Sequence, residues 1–140
     1  MKEKFLEILA NLGFQPDAFD EWGVHFEYDD VDMVTPFSED EEFLTIIVPG
    51  IVKKVDNPEL FDTILSKLNA DIKYVKAYDN EGLIWLCYER ECINSEITEL
   101  EVEHMIIHLY QSYRYIGDII REYKGDASEV EDDNVEEKEE

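Results

Sequence analysis

Apolar side chains occupy every second position between residues 22 and 29, at Trp22, Val24, Phe26 and Tyr28. A period of two is typical of a β-strand that buries one face, because successive side chains point to opposite sides of a sheet. Asp29 and Asp30 then predict a turn, and a second strand is expected at residues 31–35. The chain is therefore expected to build an antiparallel sheet.

Three further strands are predicted along the chain. One covers residues 43–48, is apolar on both faces, and should end or bulge at the Pro-Gly pair that follows it. The other two, residues 72–78 and 83–89, flank a four-residue connection at 79–82 whose Asn and Gly accept positive φ angles. These last two strands are predicted to pair as a hairpin.

Helical spacing of apolar residues predicts three helices. The first includes residues 5–12 and stops at Gly13. The second begins after Asn57, a capping residue that precedes a proline at the first helical position, and it ends near Asn69.

The last helix is predicted to run from about Ser95 to Lys124. Thr98 and Glu101 are spaced as a capping box, and Gly125 is placed to end the helix. Its apolar residues alternate spacings of four and three, which is typical of a core or coiled-coil seam: Val102, Ile106, Leu109, Tyr113, Ile116, Ile120 and Tyr123.

These elements define an α+β fold, an antiparallel sheet with helices in the order α-β-β-β-α-β-β-α. One domain is expected at residues 1–125, since a chain of 140 residues can build a core without disulfides or metal. Residues 126–140 hold nine acids, one lysine and only three apolar residues. They are predicted to form a disordered acidic tail.

The charge of the chain limits its partners. The net charge is −24, and the 27 acids and 11 bases that precede the tail still give −16. Such a surface repels phosphate backbones and anionic headgroups, so neither nucleic acid nor membrane is an expected partner. A protein partner is expected instead, although the acidity could also serve solubility alone.

The N-terminal sequence and the cysteines indicate a compartment. Glu3 and Glu7 interrupt the apolar residues of the first segment, which is unlike a secretory signal. No apolar run has the ~18 residues that a membrane span needs. Cys87 and Cys92 are not spaced as a redox pair and are expected to be reduced thiols. A cytoplasmic location is predicted.

Chemistry-bearing residues are few. His104 and His108 lie one helical turn apart with Glu101 three residues before the first, which is a spacing used in metal sites. A zinc or di-metal site needs further ligands on facing elements, and none is evident. No catalytic residue, metal ligand or cofactor is therefore assigned, although a metal-assisted enzyme built on the two histidines stays open as an alternative.

Strand 83–89 has apolar side chains on both of its faces, which is more than a single core on one side of the sheet would bury. Large residues point to both of its sides, and strand 43–48 has the same character. Either the last helix or a loop covers the second face, or that face is an interaction surface. The residues predicted to contact a partner or a second copy come from this strand and from the last helix: Leu83, Trp85, Leu86, Ile106, Leu109, Tyr113, Ile116 and Ile120.

The segment from residue 68 to residue 88 reads LNADIKYVKAYDNEGLIWLCY. It resembles the bacterial YbjN family in having an Asn at the end of the second helix, a lysine-bearing strand, a Gly-containing hairpin and an apolar strand. The order of elements over residues 1 to about 124 is similar to the type III secretion chaperone-like fold. The YbjN resemblance implies a candidate regulator without established enzymatic activity. The chaperone resemblance implies a cytosolic homodimer that holds extended client segments.

Together these observations predict a non-enzymatic protein-binding module, chaperone-like or regulatory, that acts as a homodimer. A structural domain whose acidic tail is the interacting part is the remaining alternative.

Overall fold

The computed structural model describes residues 1–20, 23–37 and 42–135, and of residues 18–20, 95 and 126–135 it describes the backbone alone. Over these residues the α+β class and the predicted order of elements are confirmed, with one extra strand after the first helix. The elements are α1 Lys2–Asn11, β1 Asp17–Asp20, β2 Gly23–Tyr28, β3 Val31–Pro36, β4 Phe43–Val48, α2 Pro58–Asp71, β5 Lys76–Asn80, β6 Leu83–Glu91 and α3 Glu99–Val135.

The strands form one antiparallel sheet in the order β1-β2-β3-β4-β6-β5. Strand β1 was not predicted, because its four residues, DAFD, offer no apolar alternation. It forms one edge of the sheet by pairing irregularly with β2. This pairing is made by backbone hydrogen bonds, which are available to any sequence. Trp22 of the predicted first strand and residues 38–41, between the predicted strands 31–35 and 43–48, lie outside the described residues.

The β2–β3 hairpin has the predicted turn. Asp29 and Asp30 have φ angles of 52° and 67°. Two consecutive positive φ angles define the tight turn whose twist matches that of paired strands. Tyr28 therefore pairs with Val31, and Glu27 pairs with Asp32. A two-residue turn fixes the register of every later pair, so it also decides which side chains share a face.

The β5–β6 hairpin is confirmed with a shorter connection than predicted. Glu81 and Gly82 form a two-residue turn with φ angles of 55° and 85°, and Asn80 belongs to the ladder as the partner of Leu83. The Gly82 amide donates to the Asp79 carboxylate at 2.8 Å, which stabilises the turn. Strand β5 begins at residue 76, not 72, because α2 extends to residue 71.

The first two helices have the predicted ends. Beyond α1 the amide of Phe14 donates to the carbonyl of Leu9 at 2.9 Å, across a Gly13 with a φ angle of 95°. This is the Schellman arrangement, which needs a left-handed residue. At the start of α2 the Asn57 side chain accepts a hydrogen bond from the Leu60 amide at 3.0 Å, as the capping pattern predicts.

The capping box of α3 is confirmed, but the helix begins at Glu99 instead of about Ser95, and its end is also corrected. Thr98 Oγ1 accepts from the Glu101 amide, and Glu101 Oε1 accepts from the Thr98 amide, both at 3.2 Å. The helix does not stop at Gly125 but continues to Val135. A glycine costs a helix about 1 kcal/mol relative to alanine without removing a backbone hydrogen bond, so it ends a helix only when it turns left-handed. The predicted disorder of residues 126–140 stays a prediction.

A single hydrophobic core lies between the three helices and one face of the sheet, called the inner face below. The inner face consists of alternate strand residues, and α1, α2 and α3 all contribute buried residues opposite it. The fully buried residues with the largest side chains are Phe5, Phe26, Phe61, Ile8, Leu9, Met33, Leu44, Ile46, Ile64, Leu68, Ile84 and Leu86.

Asn69, near the end of α2, links that helix to the edge strand β5 through hydrogen bonds. Its side-chain amide donates to the Ala77 carbonyl and accepts from the Ala77 amide, both at 2.9 Å. The asparagine thus satisfies the two backbone groups that an edge strand would otherwise leave unpaired. This contact gives a structural reason for the asparagine at that point of the sequence.

Candidate interaction surface

The second face of the sheet, called the outer face below, carries a stripe of apolar side chains. The register places Val34 beside Ile47 and Ile47 beside Cys87, so these three residues form a row across β3, β4 and β6. The next pairs on β5–β6 are Tyr78 with Trp85 and Asn80 with Leu83. The outer stripe is defined here as Val34, Ile47, Tyr78, Leu83, Trp85 and Cys87.

None of the described helices packs against the outer stripe. In β6 the inner residues Ile84, Leu86 and Tyr88 are buried, while the alternating residues are only partly buried. Strand β4 repeats this difference, and Phe43 at its start is 53% exposed. The sequence left open whether the second face is covered or uncovered. The described residues favour an uncovered face.

Trp85 is the largest side chain of the outer stripe. Its ring lies 6.4 Å from that of Tyr78, centre to centre. The indole Nε1 is shielded from solvent and has no hydrogen-bond acceptor among the described residues. Burial, together with the neighbouring Cys87 and Glu89, raises the pKa of the Tyr78 hydroxyl. Both aromatic residues are thus partly desolvated within an otherwise open face.

Cys87 lies in the middle of the stripe, in surroundings that disfavour its thiolate. Burial raises its pKa to about 11, and the Glu89 carboxylate adds to this effect, whereas Lys76 opposes it. The nucleophile of cysteine chemistry is the thiolate, which is scarce at neutral pH when the pKa is so high. Such an environment suits a packing role for Cys87, and both cysteines are free.

Polar side chains border the stripe on both sides. Thr45 donates to the Glu89 carboxylate at 3.1 Å on one side of the Ile47–Cys87 pair. Lys76 is the cross-strand partner of Cys87. An apolar centre with a polar border is the usual composition of a protein–protein contact region.

The predicted partner residues fall into two groups. Leu83 and Trp85 lie on the outer face. Four others belong to the core: Leu86, Ile106, Leu109 and Ile116 are at most 3% exposed. Met105 and Ile119, which flank the predicted seam, are buried as well, so these apolar residues of the last helix also pack into this chain's own core.

Tyr113 and Ile120 remain at the surface of α3. Tyr113 is 38% exposed, because the buried stripe of the helix passes through Ser112 instead. Both residues line a shallow groove of about 250 Å³ between α3 and residues 51–52, which Arg114 and Arg121 also line. This groove is a second, smaller surface that a partner could contact.

His104 and His108 belong to an aromatic cluster. Their rings lie 4.6 Å apart, and His108 Nδ1 is 2.8 Å from the His104 carbonyl oxygen, which leaves one ring nitrogen of His108 for any other contact. The His108 ring also meets Tyr74 and Tyr88 edge-on. Tyr74 holds a left-handed backbone, with a φ of 74°, and stacks on Tyr88. Within the described ranges, no third ligand converges on this pair.

A different set of candidate ligands was overlooked in the sequence. His25, Glu27 and Asp32 converge on the outer face of the β2–β3 hairpin. The predicted strands and the two-residue turn between them were sufficient to find this group, because they place residue 27 opposite residue 32 and residue 25 on the same side.

Comparison with solved structures identifies the fold. The crystal structure of an uncharacterized protein from Methanothermobacter thermautotrophicus superposes with a TM-score of 0.60 at 14% identity, covering 87% of this chain and 97% of that one. The crystal structure of E. coli YbjN, a proposed transcription regulator, superposes with a TM-score of 0.56 at 17% identity, covering 91% and 93%. The chain therefore has a YbjN-like fold, and the predicted resemblance to YbjN is confirmed at the level of the fold.

Sequence comparison adds no family assignment, since neither a protein-family model nor a curated protein matches the chain. The similarity to type III secretion chaperones stays a prediction. None of the helices in the described part of the chain, α3 included, is both long and apolar enough to cross a membrane.

Proposed function

We propose that the chain is a non-enzymatic protein-binding module, chaperone-like or regulatory, that acts as a homodimer through the outer face of its sheet. The observation that supports this proposal is the outer stripe, a contiguous set of large apolar side chains that the three helices leave uncovered. Monomeric proteins rarely expose an apolar patch of more than a few hundred Å² without a use for it.

A two-fold arrangement would cover both stripes with one kind of chain, because the same surface then serves on each subunit. The negative charge of the folded part opposes this association. Dimerisation should therefore strengthen as salt screens the repulsion. The fold also supports a regulatory role, since E. coli YbjN is a proposed transcription regulator. With a net charge of −24, regulation through contacts with other proteins fits this chain better than direct contact with DNA.

The proposal is tested by sedimentation equilibrium at micromolar concentrations and at low and physiological ionic strength. A dimer that tightens with salt is expected. The double substitution Ile47→Ser and Trp85→Ser should weaken it at least tenfold, whereas Tyr113→Ser, in the α3 groove, should leave it unchanged. A wild-type chain that stays monomeric under both conditions would rule out the homodimer. Loss of the dimer in the Tyr113 variant alone would move the interface to α3.

A further inference from the structure

We propose that His25, Glu27 and Asp32 bind one divalent transition-metal ion, for which zinc is the best match, on the outer face of the β2–β3 hairpin. The imidazole and the two carboxylates each offer one ligand atom, and the three atoms lie within 4.8 Å of one another. This inference is independent of the proposed homodimer.

The backbone of the hairpin brings the three residues together. His25 and Glu27 are two positions apart on β2 and therefore point to the same side of the sheet. Glu27 is the direct cross-strand partner of Asp32 on β3. Because these strands lie inside the sheet and a two-residue turn fixes their register, the ligands come from a rigid scaffold.

The distances suit a small metal ion. His25 Nε2 lies 3.1 Å from Asp32 Oδ1. Zinc binds nitrogen and oxygen ligands at about 2.0–2.2 Å, and in a tetrahedral site two such ligand atoms are therefore about 3.3 Å apart. The histidine and the aspartate already stand close to this separation. Glu27 is exposed, so rotation of its side chain can supply the third ligand.

The charges around the three residues favour a bound cation. Glu27 and Asp32 are like charges placed directly opposite each other, a pairing that destabilises a sheet. Asp17, the cross-strand partner of His25 on β1, adds a third carboxylate beside the group. Among the described residues, His25 forms an ion pair with Asp32, and it offsets the negative charge only when it is protonated. A divalent ion would offset the repulsion without depending on that proton.

The surroundings leave room for further ligands. An open bay of about 380 Å³ lies beside two of the three candidate ligands, His25 and Glu27. Its other lining residues are Gly13, Phe14, Gln15, Asp17 and Phe26. Three protein ligands with an accessible fourth position are the pattern of zinc sites that keep a bound water. One imidazole with two carboxylates suits zinc or a neighbouring transition metal better than calcium, which prefers six to eight oxygen ligands.

The test is calorimetric titration of zinc into metal-free, full-length protein at physiological salt, supported by the visible absorption of bound cobalt. One ion per chain is expected. His25→Ala and Asp32→Asn should each weaken zinc binding at least tenfold and abolish the tetrahedral cobalt bands. The matched control is the double variant His104→Ala, His108→Ala, which should bind zinc as the wild type does. Because the substituted residues lie at the surface, circular dichroism of each metal-free variant should match that of the wild type.

Two results would overturn the proposal. One is zinc binding that is unchanged in His25→Ala or that is lost in the His104, His108 control. The other is weak binding of several ions per chain with equal affinity for zinc and calcium, since that is the behaviour of a diffuse acidic surface.

Discussion

Strand β6 carries large apolar residues on both the inner and the outer face of the sheet, and the two faces have different environments. On β6, Ile84 and Leu86 are completely buried, whereas Leu83 and Trp85, their immediate neighbours, are partly exposed. The difference arises because all three helices pack on one side. Residue type alone therefore did not decide burial in this strand.

The two faces are also stabilised by different interactions. The inner face is held by dense packing, in which each side chain contributes to stability in proportion to the apolar area it buries. The outer face is held mainly by the backbone ladder and by local polar pairs such as Thr45 with Glu89. Substitutions should consequently be costly on the inner face and tolerated on the outer face, which leaves the outer face free to serve recognition.

The largest expected effect contrasts two leucines of the same strand. Leu86→Ala should lower the free energy of unfolding by about 2–5 kcal/mol, because it leaves a cavity in a packed core. Leu83→Ala should cost less than about 1 kcal/mol, because its site opens to solvent. Urea denaturation of both variants at low protein concentration measures the contrast. Equal losses would show that something covers the outer face of the monomer.

A second contrast concerns the thiol on the outer face. With a pKa near 11 in place of the ordinary 9, Cys87 should react with iodoacetamide about 100-fold more slowly than a free thiol at pH 8, since the thiolate fraction falls tenfold per pKa unit. The rate should rise tenfold per pH unit until the pH approaches 11. A Cys92→Ser background makes Cys87 the sole thiol. A rate that levels off near pH 9 would contradict the effect of burial.

A substitution at the β5 edge of the sheet should have an intermediate effect on stability. Asn69→Ala removes both side-chain partners of the Ala77 backbone and should cost about 1–3 kcal/mol. Thr63→Ala is the matched control, because Thr63 is partly exposed on the same helix and should change stability by less than about 0.5 kcal/mol. Thermal unfolding of the two variants measures this difference in stability. An Asn69 variant as stable as its control would mean that water replaces the amide.

The smallest effect is expected from the end of the chain. Deletion of residues 126–140 should leave the melting temperature nearly unchanged at moderate salt, because their charge and scarce apolar content give them nothing to bury against either face. Calorimetry of the full-length and shortened chains provides the measurement. A decrease of more than about 4–5 °C, which corresponds to roughly 1 kcal/mol for a domain of this size, would show that the segment docks on the body.

Much of the fold could be predicted because its signals are local. Asn57 and Thr98 cap helices through side chains that reach only three residues ahead. Asp29 and Asp30 form a turn that fixes one hairpin register. Such contacts depend on a few consecutive residues, so they can be predicted from the local sequence. Strand β1 was missed for the converse reason, since its pairing is made by the backbone and leaves no side-chain pattern.

The candidate sites were harder to predict. Of the eight residues assigned to a partner, five were chosen for helical periodicity and three because their strand is apolar on both faces, and these patterns are common to core and interface positions alike. Four of them proved to be core residues. The candidate metal ligands could be predicted from the hairpin register. His104 and His108 have the more regular spacing, on one helix, but that spacing brings no third ligand into reach among the described residues.

Apart from strand β1, the end of α3 and the exact length of the β5–β6 turn, the sequence by itself determined the elements, their order, the helix caps, the β2–β3 turn and the alternation that gives each strand two faces. Only the tertiary structure decided that α1, α2 and α3 all cover the same face, and that the stripe of α3 turned inward contains Ser112 and not Tyr113. The physical reason is that alternation places residues on opposite sides without saying which side will be covered. When both sides of a strand are apolar, only contacts between segments distant in sequence can distinguish them.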